Sequence, residues 1–165
     1  MAAGNTYVAI ASQTVSSAAS SVTFSSIPAT YTDLVMVVGG IYSTAATMYL
    51  KPNSDSSDIY SFTQLYGTGS ATGTSRGASP GGSVLGLLVG YPSTSQCISI
   101  ISINQYANTS IYKTSLARFS GAGNYVVVAV GLWRSTAAIN SLTLTPTAGT
   151  ISTGTVLSLY GILAA

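Results

Sequence analysis

The sequence predicts an all-β fold, an antiparallel β-sandwich of jelly-roll type, in a single domain that spans residues 1–165. Apolar residues occur in short β-branched runs or alternate with polar ones, and Gly, Pro, Ser and Asn separate these runs. No stretch has the apolar periodicity of an amphipathic helix. Hydrophobic residues make up 47% of the chain, which supports a buried core and excludes disorder. Short strands without helices favour two packed sheets.

The first half of the chain contains four predicted strands. Residues 21–24 alternate, and residues 33–38 form a continuous apolar run that Gly39 and Gly40 interrupt, which predicts a bulge or bend. Residues 47–51 alternate until a Pro-Asn pair stops them, and residues 61–66 form the next strand. Residues 67–82 are rich in Gly, Ser and Thr, so we expect a long flexible loop there and not a phosphate-binding loop, since no helical pattern follows.

The second half predicts strands at residues 84–89, 98–103, 111–116, Tyr125–Trp133, 139–145 and 155–160. The Val-rich run Tyr125–Trp133 is too short for a membrane helix of about 18 residues and is typical of a buried strand. Leu142 and Leu144 alternate with hydroxyl side chains and should face the core. The adjacent Ile100 and Ile101 predict a bulge or a strand buried on both faces.

Charged residues are scarce, at 5% of the chain against about 25% in an ordinary domain. The chain has no histidine or glutamate, and acid–base or metal chemistry usually depends on such groups. We therefore expect a protein that is not an enzyme and that binds no cofactor. Cys97 has no second cysteine to pair with, and we expect a buried, unreactive thiol in a reducing compartment.

Neither nucleic acid nor a membrane is an expected partner. The net charge is +2, and the five Lys and Arg residues lie in different segments, whereas nucleic-acid binders cluster them. No apolar run is long enough to span a bilayer, and the N-terminal Met1–Asn5 segment lacks the features of a secretory signal. We expect the protein to stay in the cytoplasm in which it is made.

Residues 53–58 form the one acidic cluster, with Asp55 and Asp58 among Asn and Ser. Alternate oxygen ligands could hold calcium, but calcium usually takes six to eight oxygens from several carboxylates. Asn, Asp and Ser also stabilise turns by bonding their own backbone. The sequence favours a turn and assigns no metal site.

Candidate interface residues come from the tyrosines and the scattered charges. Tyr91 and Tyr106 lie in loop-like sequence, where a rigid ring with a polar tip suits contact with a partner. Asp33 begins an apolar strand and should be exposed or paired, because an isolated buried carboxylate is costly. Lys113, Arg118 or a cation of a neighbouring subunit could pair with it. Core packing is expected for most other aromatic residues, including Trp133.

Several segments together resemble a known group of proteins. These are VTFSSIP at residues 22–28, YTDLV at 31–35, NTSIYKT at 108–114, WRSTAAI at 133–139 and LSLYGI at 157–162. As a set they resemble small virion structural proteins of tailed bacteriophages, prominent among cyanophages. The resemblance runs from about Asn5 to Ile162 and implies a β-sandwich on the particle exterior. Residues 67–82 depart from the pattern in being poor in charge.

The resemblance and the composition together favour a capsid decoration (cement) protein that binds the major capsid protein or another virion protein. The chain would assemble in the host cytoplasm and then reside on the virion. Decoration proteins and fibres tend to sit at three-fold positions, so the resemblance implies a homotrimer. The alternative is a tail fibre or receptor-binding module that contacts glycans of the host surface, and another tail or neck component also remains open. A depolymerase would need a suitably placed carboxylate pair.

Overall fold

The computed structural model describes residues 6–78, 86–90 and 94–163, and these ranges form twelve strands and no helix. In chain order the strands are β1 (Tyr7–Thr14), β2 (Val22–Phe24), β3 (Asp33–Gly40), β4 (Met48–Pro52), β5 (Tyr60–Gly67), β6 (Thr72–Ala78), β7 (Leu87–Gly90), β8 (Cys97–Ile103), β9 (Lys113–Gly121), β10 (Tyr125–Trp133), β11 (Leu142–Pro146) and β12 (Val156–Ile162). The predicted all-β fold is confirmed. No described segment is a helix able to cross a bilayer.

The strands form two antiparallel sheets that pack face to face. The large sheet has eight strands in the order β1-β12-β3-β8-β9-β10-β5-β6, and the small sheet has four in the order β2-β11-β4-β7. Leu142 and Leu144 are fully buried, as their alternation predicts. Trp133 is also buried in this core, which confirms its expected packing role. Hydrophobic residues from both sheets thus form one continuous core.

Close approach of the sheets depends on two glycines. A Cβ atom at Gly90 of β7 would lie 2.4 Å from Cδ2 of Phe119 on β9. A Cβ atom at Gly131 of β10 would lie 2.6 Å from Oγ of Ser115 and 3.2 Å from Cδ2 of Leu87. The two sheets can therefore approach closely at these two positions, because glycine has no side chain to separate them.

Two strands are missing from the sequence prediction, because neither has a clean apolar alternation. β1 contains Ala and Ser, and its register with β12 shifts between Ala9 and Ala11. β6 lies inside residues 67–82, which were expected to be a loop. In the described part of this range, residues 68–71 form a turn that is closed by the bond from Thr68 N to Ala71 O at 2.9 Å. β6 then pairs with β5 along its whole length as an exposed edge strand, in which Arg76 is the one large side chain.

The sequence predicted irregularities in strands β3 and β8, and both predictions are wrong. β3 continues through Gly39 and Gly40, which pair in register with Ile98 and Cys97 of β8. Gly40 is needed because a Cβ atom there would lie 2.2 Å from Oγ1 of Thr155. β8 has no bulge at Ile100 and Ile101, since its register with both neighbours is continuous. Ile101 faces the core and Ile100 faces outward.

Several strand boundaries also shift. Loop residues precede Lys113 and Leu142, where strands were expected from residues 111 and 139; Ile139 N instead bonds Tyr106 O at 2.9 Å. β7 covers only the end of the predicted strand 84–89, whose first two residues lie outside the described part. The predicted Tyr91 contact and the Met1–Asn5 segment lie outside it as well.

Replacing Gly90 by Ala should lower the free energy of unfolding by about 1–3 kcal/mol, because the buried Phe119 ring must move to admit a methyl group and because the φ of +156° at Gly90 strains an L side chain. Denaturant unfolding followed by circular dichroism measures the change. Gly39→Ala is the matched control, since nothing lies within 4 Å of its added Cβ, and its effect should stay within about 0.5 kcal/mol. Equal effects of the two substitutions would contradict the close approach of the sheets.

Candidate interaction surface

Tyr106 was predicted to contact a partner, and this prediction is wrong. Its side chain is fully buried. Its hydroxyl donates a hydrogen bond to Pro28 O and accepts one from Tyr31 N at 3.4 Å. Burial raises the pKa of this phenol, so it stays protonated. Tyr106 therefore holds the 28–31 segment against the core.

Lys113 is also not an interface residue. The side chain is fully buried at the start of β9, and Nζ donates hydrogen bonds to the carbonyl oxygens of Ile111 at 2.8 Å and Thr136 at 3.2 Å. Burial lowers the pKa of the ammonium group from its ordinary value. Its long apolar stem and three donors allow Lys113 to connect two loops internally, a role that sequence spacing does not reveal.

Asp33 is half-buried at the start of β3 and pairs with neither predicted cation. Its Oδ1 accepts a hydrogen bond from Gln105 N at 2.7 Å, which satisfies the carboxylate without a salt bridge. Arg118 is the one predicted interface residue in the described part that is exposed and free. It makes no hydrogen bond or ion pair with any described residue.

The acidic cluster at residues 53–58 forms a turn, as the sequence favoured. Asn53 Oδ1 accepts hydrogen bonds from Asn140 N at 2.9 Å and Ser141 N at 3.3 Å. Asp55 Oδ2 accepts one from Trp133 Nε1 at 2.8 Å, and Oδ1 accepts from the backbone and hydroxyl of Ser57. Partial burial disfavours the charged carboxylate, but these donors outweigh it and hold the pKa of Asp55 below its usual value.

The described residues contain no group of three His, Cys, Asp or Glu side chains placed to share a metal ion. Cys97 lies at the start of β8, as predicted, and is half-buried. Its thiol donates to Gly40 O at 3.4 Å, and burial raises its pKa to about 11. A thiol that remains protonated at neutral pH is a weak nucleophile.

The outer side of the large sheet carries an unusual set of exposed aliphatic side chains. We call it the aliphatic face and define it by six residues with exposed fractions of 42–61%: Leu65, Ile98, Leu116, Val126, Val128 and Val130. They lie on adjacent strands β5, β10, β9 and β8. In register, Val128 lies between Leu65 and Arg118, which places these side chains about 5 Å apart as cross-strand neighbours.

β10 shows why this face was not predicted. Its Val-rich sequence was interpreted as a buried strand, but only its alternate residues face the core: Tyr125, which is half-buried, and Val127, Ala129, Gly131 and Trp133, which are buried. The alternate valines face outward and are about half exposed. A continuous apolar run in the sequence is compatible with a strand that is buried on both faces. It is equally compatible with a strand that has one buried face and one exposed apolar face.

Two shallow depressions, of about 680 and 480 Å³, lie on the large sheet beside the outward valines of β10. The first lies beside Val130 and Thr63 and is bordered by Arg76 of β6; the second lies beside Val128 and Leu65. They form over β5, where Ser61, Thr63 and Gly67 present little outward side chain. Such depressions can accept side chains of an opposing surface.

Comparisons with known proteins add little to this description. No protein-family model and no curated protein match the chain. The exo-inulinase of Aspergillus awamori is 12% identical with a TM-score of 0.45, over 94% of this chain and 29% of that one. A Caenorhabditis elegans galectin is 10% identical with a TM-score of 0.38, over 93% and 96% of the two chains. A tetrameric galectin from the sponge Cinachyrella is 10% identical with a TM-score of 0.33, over 86% and 99%. Such similarity assigns neither ligand nor activity.

The Asp55–Trp133 bond yields a stability prediction. Asp55→Asn removes one of the acceptors and should lower the free energy of unfolding by about 1–3 kcal/mol near neutral pH. Folding lowers the pKa of Asp55. The ionised carboxylate therefore adds to the free energy of unfolding at pH values above the pKa of Asp55 in the unfolded chain. This contribution is lost as the pH falls through the pKa of Asp55 in the folded protein. The difference between wild type and variant should therefore shrink in acid.

Chemical denaturation at neutral pH and at about pH 3 tests this dependence. Asp58→Asn is the matched control, because Asp58 is an exposed carboxylate in the same turn. A constant difference across this pH range, or an equal loss in the Asp58 variant, would show that Asp55 does not hold the turn through its charge.

Proposed function

We propose that this chain is a non-catalytic structural protein of a phage particle, a capsid decoration (cement) protein that docks through the aliphatic face onto the head shell. The observation that carries the proposal is the cluster of exposed Val, Leu and Ile side chains on four adjacent strands of the large sheet, on its outer side. Exposed aliphatic patches of this kind mark interaction sites on soluble proteins. Ordinary surface positions of a strand carry polar side chains instead.

The area of the aliphatic face favours weak binding by each copy, repeated over many copies, over strong binding by a single copy. Strands β8, β9, β10, β5 and β6 are about 4.8 Å apart, and outward residues along a strand are about 6.7 Å apart, so the outer surface measures about 20 Å by 20 Å. This area of about 400 Å² is half of the roughly 800 Å² that each partner contributes to a standard interface. One copy would bind modestly, whereas many copies on a shell would add up to substantial stabilisation.

The chemistry of the surface favours a protein partner over a glycan. Sugar rings are usually held by aromatic stacking together with several polar groups. The exposed aromatic residues in the described part, Tyr7 and Tyr112, lie outside the aliphatic face. Aliphatic side chains pack instead against apolar protein surface, where each buried CH₂ group contributes about 0.8 kcal/mol.

Locating and counting the protein on purified particles tests the proposal. A decoration protein should be present in hundreds of copies over the head. Particles that lack it should lose heads to heating or osmotic shock while they still adsorb to cells. Copies confined to the tail in small number, with loss of adsorption and intact heads, would instead establish the receptor-binding alternative.

The proposal includes a homotrimer, which the resemblance implies. A three-fold ring uses heterologous contacts, so each copy can keep the aliphatic face free for the shell. Chemical cross-linking of the protein on the particle should yield trimers, and light scattering should give the mass of the free form. Cross-linked products limited to contacts with the shell protein would contradict the trimer and leave the docking proposal intact.

A further inference from the structure

We propose that the surface recognised by the aliphatic face is an apolar protein surface that carries carboxylates opposite Arg118 and Arg76. This inference rests on the proposed function and names the chemistry of its partner. The observation behind it is that both guanidinium groups are exposed on this side of the sheet and neither bonds any described residue.

Arg118 lies within the aliphatic face. It pairs in register with Val128 of β10 on one side and with Ile100 of β8 on the other. Leu116 points outward two residues earlier on the same strand. A partner that packs against these aliphatic side chains must therefore also cover the guanidinium group.

Arg76 lies at the β6 edge of the same outer surface. It lies on the edge strand β6, opposite Thr63, which in turn pairs with Val130. It borders the first depression, of about 680 Å³. Strand and residue spacing put the Cα atoms of the two arginines about 16 Å apart, with aliphatic side chains between them.

Desolvation decides what must oppose these arginines. Removing an unpaired charge from water costs several kcal/mol, which would cancel the gain from covering a few half-exposed valines. A carboxylate on the partner offsets this desolvation cost, because it accepts two parallel hydrogen bonds from a guanidinium group. Docking on a purely apolar surface is therefore disfavoured, and the arginines select acidic positions at defined points.

A second copy of this chain does not meet this requirement. The aliphatic face and the strands beneath it carry no carboxylate, so a face-to-face dimer would bury four guanidinium groups without partners. Asp33, on the same sheet, is engaged by Gln105 N.

Binding of purified variants to heads assembled without this chain tests the inference. Arg118→Met and Arg76→Met keep an apolar stem but leave the opposing carboxylates unpaired, so each should weaken binding by about 30-fold or more. Arg118→Lys should recover part of the loss, because it restores the charge without the planar fork. Wild-type binding should weaken with added salt, and the double Met variant should lose most of this dependence.

Lys51→Met is the matched control, because it removes one positive charge from β4 of the small sheet. It should bind within about 2-fold of wild type, as expected for a charge outside the contact. Met variants that bind as tightly as wild type would overturn the inference and leave the docking proposal standing. Heads that do not bind the wild type would overturn both. Stronger self-association of the double Met variant, at the expense of head binding, would identify a second copy as the occupant.

Discussion

The architecture depends on the packing of the inward face of β10 (Tyr125–Trp133) against the small sheet. Its inward positions include Ala129 and Gly131, which are small enough to let β7 cross the large sheet at close range. Its outward positions are valines, which favour the strand conformation but contribute little to the core because they are about half exposed. The same strand thus holds the sandwich together on one side and supplies an uncovered apolar surface on the other.

Several of the few charged side chains form hydrogen bonds inside the fold. Asp55, Asp33 and Lys113 bond backbone or the Trp133 indole inside the fold. Arg134 likewise reaches Ser61 Oγ at 3.1 Å. These groups organise loops where the backbone needs additional partners. Arg118 and Arg76 make no such bond with any described residue, and neither do Lys51 and Asp58. The two arginines differ from Lys51 and Asp58 because they lie beside exposed aliphatic side chains, and this position is the reason to assign them to a partner.

Period-two patterns in the sequence were sufficient to predict the fold class and the inward faces of strands such as β11 (Leu142–Pro146). The edge strand β6 (Thr72–Ala78) could not be predicted, since its pairing with β5 needs no apolar alternation. The roles of Tyr106 and Lys113 were also missed, because burial of a polar side chain depends on acceptors far away in sequence. Arg118 was predicted as an interface residue from its charge alone, and its aliphatic surroundings arise only when β8, β9 and β10 align.

The central claim is that the outward valines of β10 serve association and not folding. Replacing Val126, Val128 and Val130 together by Thr tests it most directly, since Thr keeps the β-branched shape and adds a hydroxyl group. The account predicts a free energy of unfolding within about 0.5 kcal/mol of wild type per site, because these side chains already contact water. Binding to heads assembled without this chain should be lost. A triple variant that unfolds readily, or that remains stable and still binds heads as wild type does, would contradict the claim.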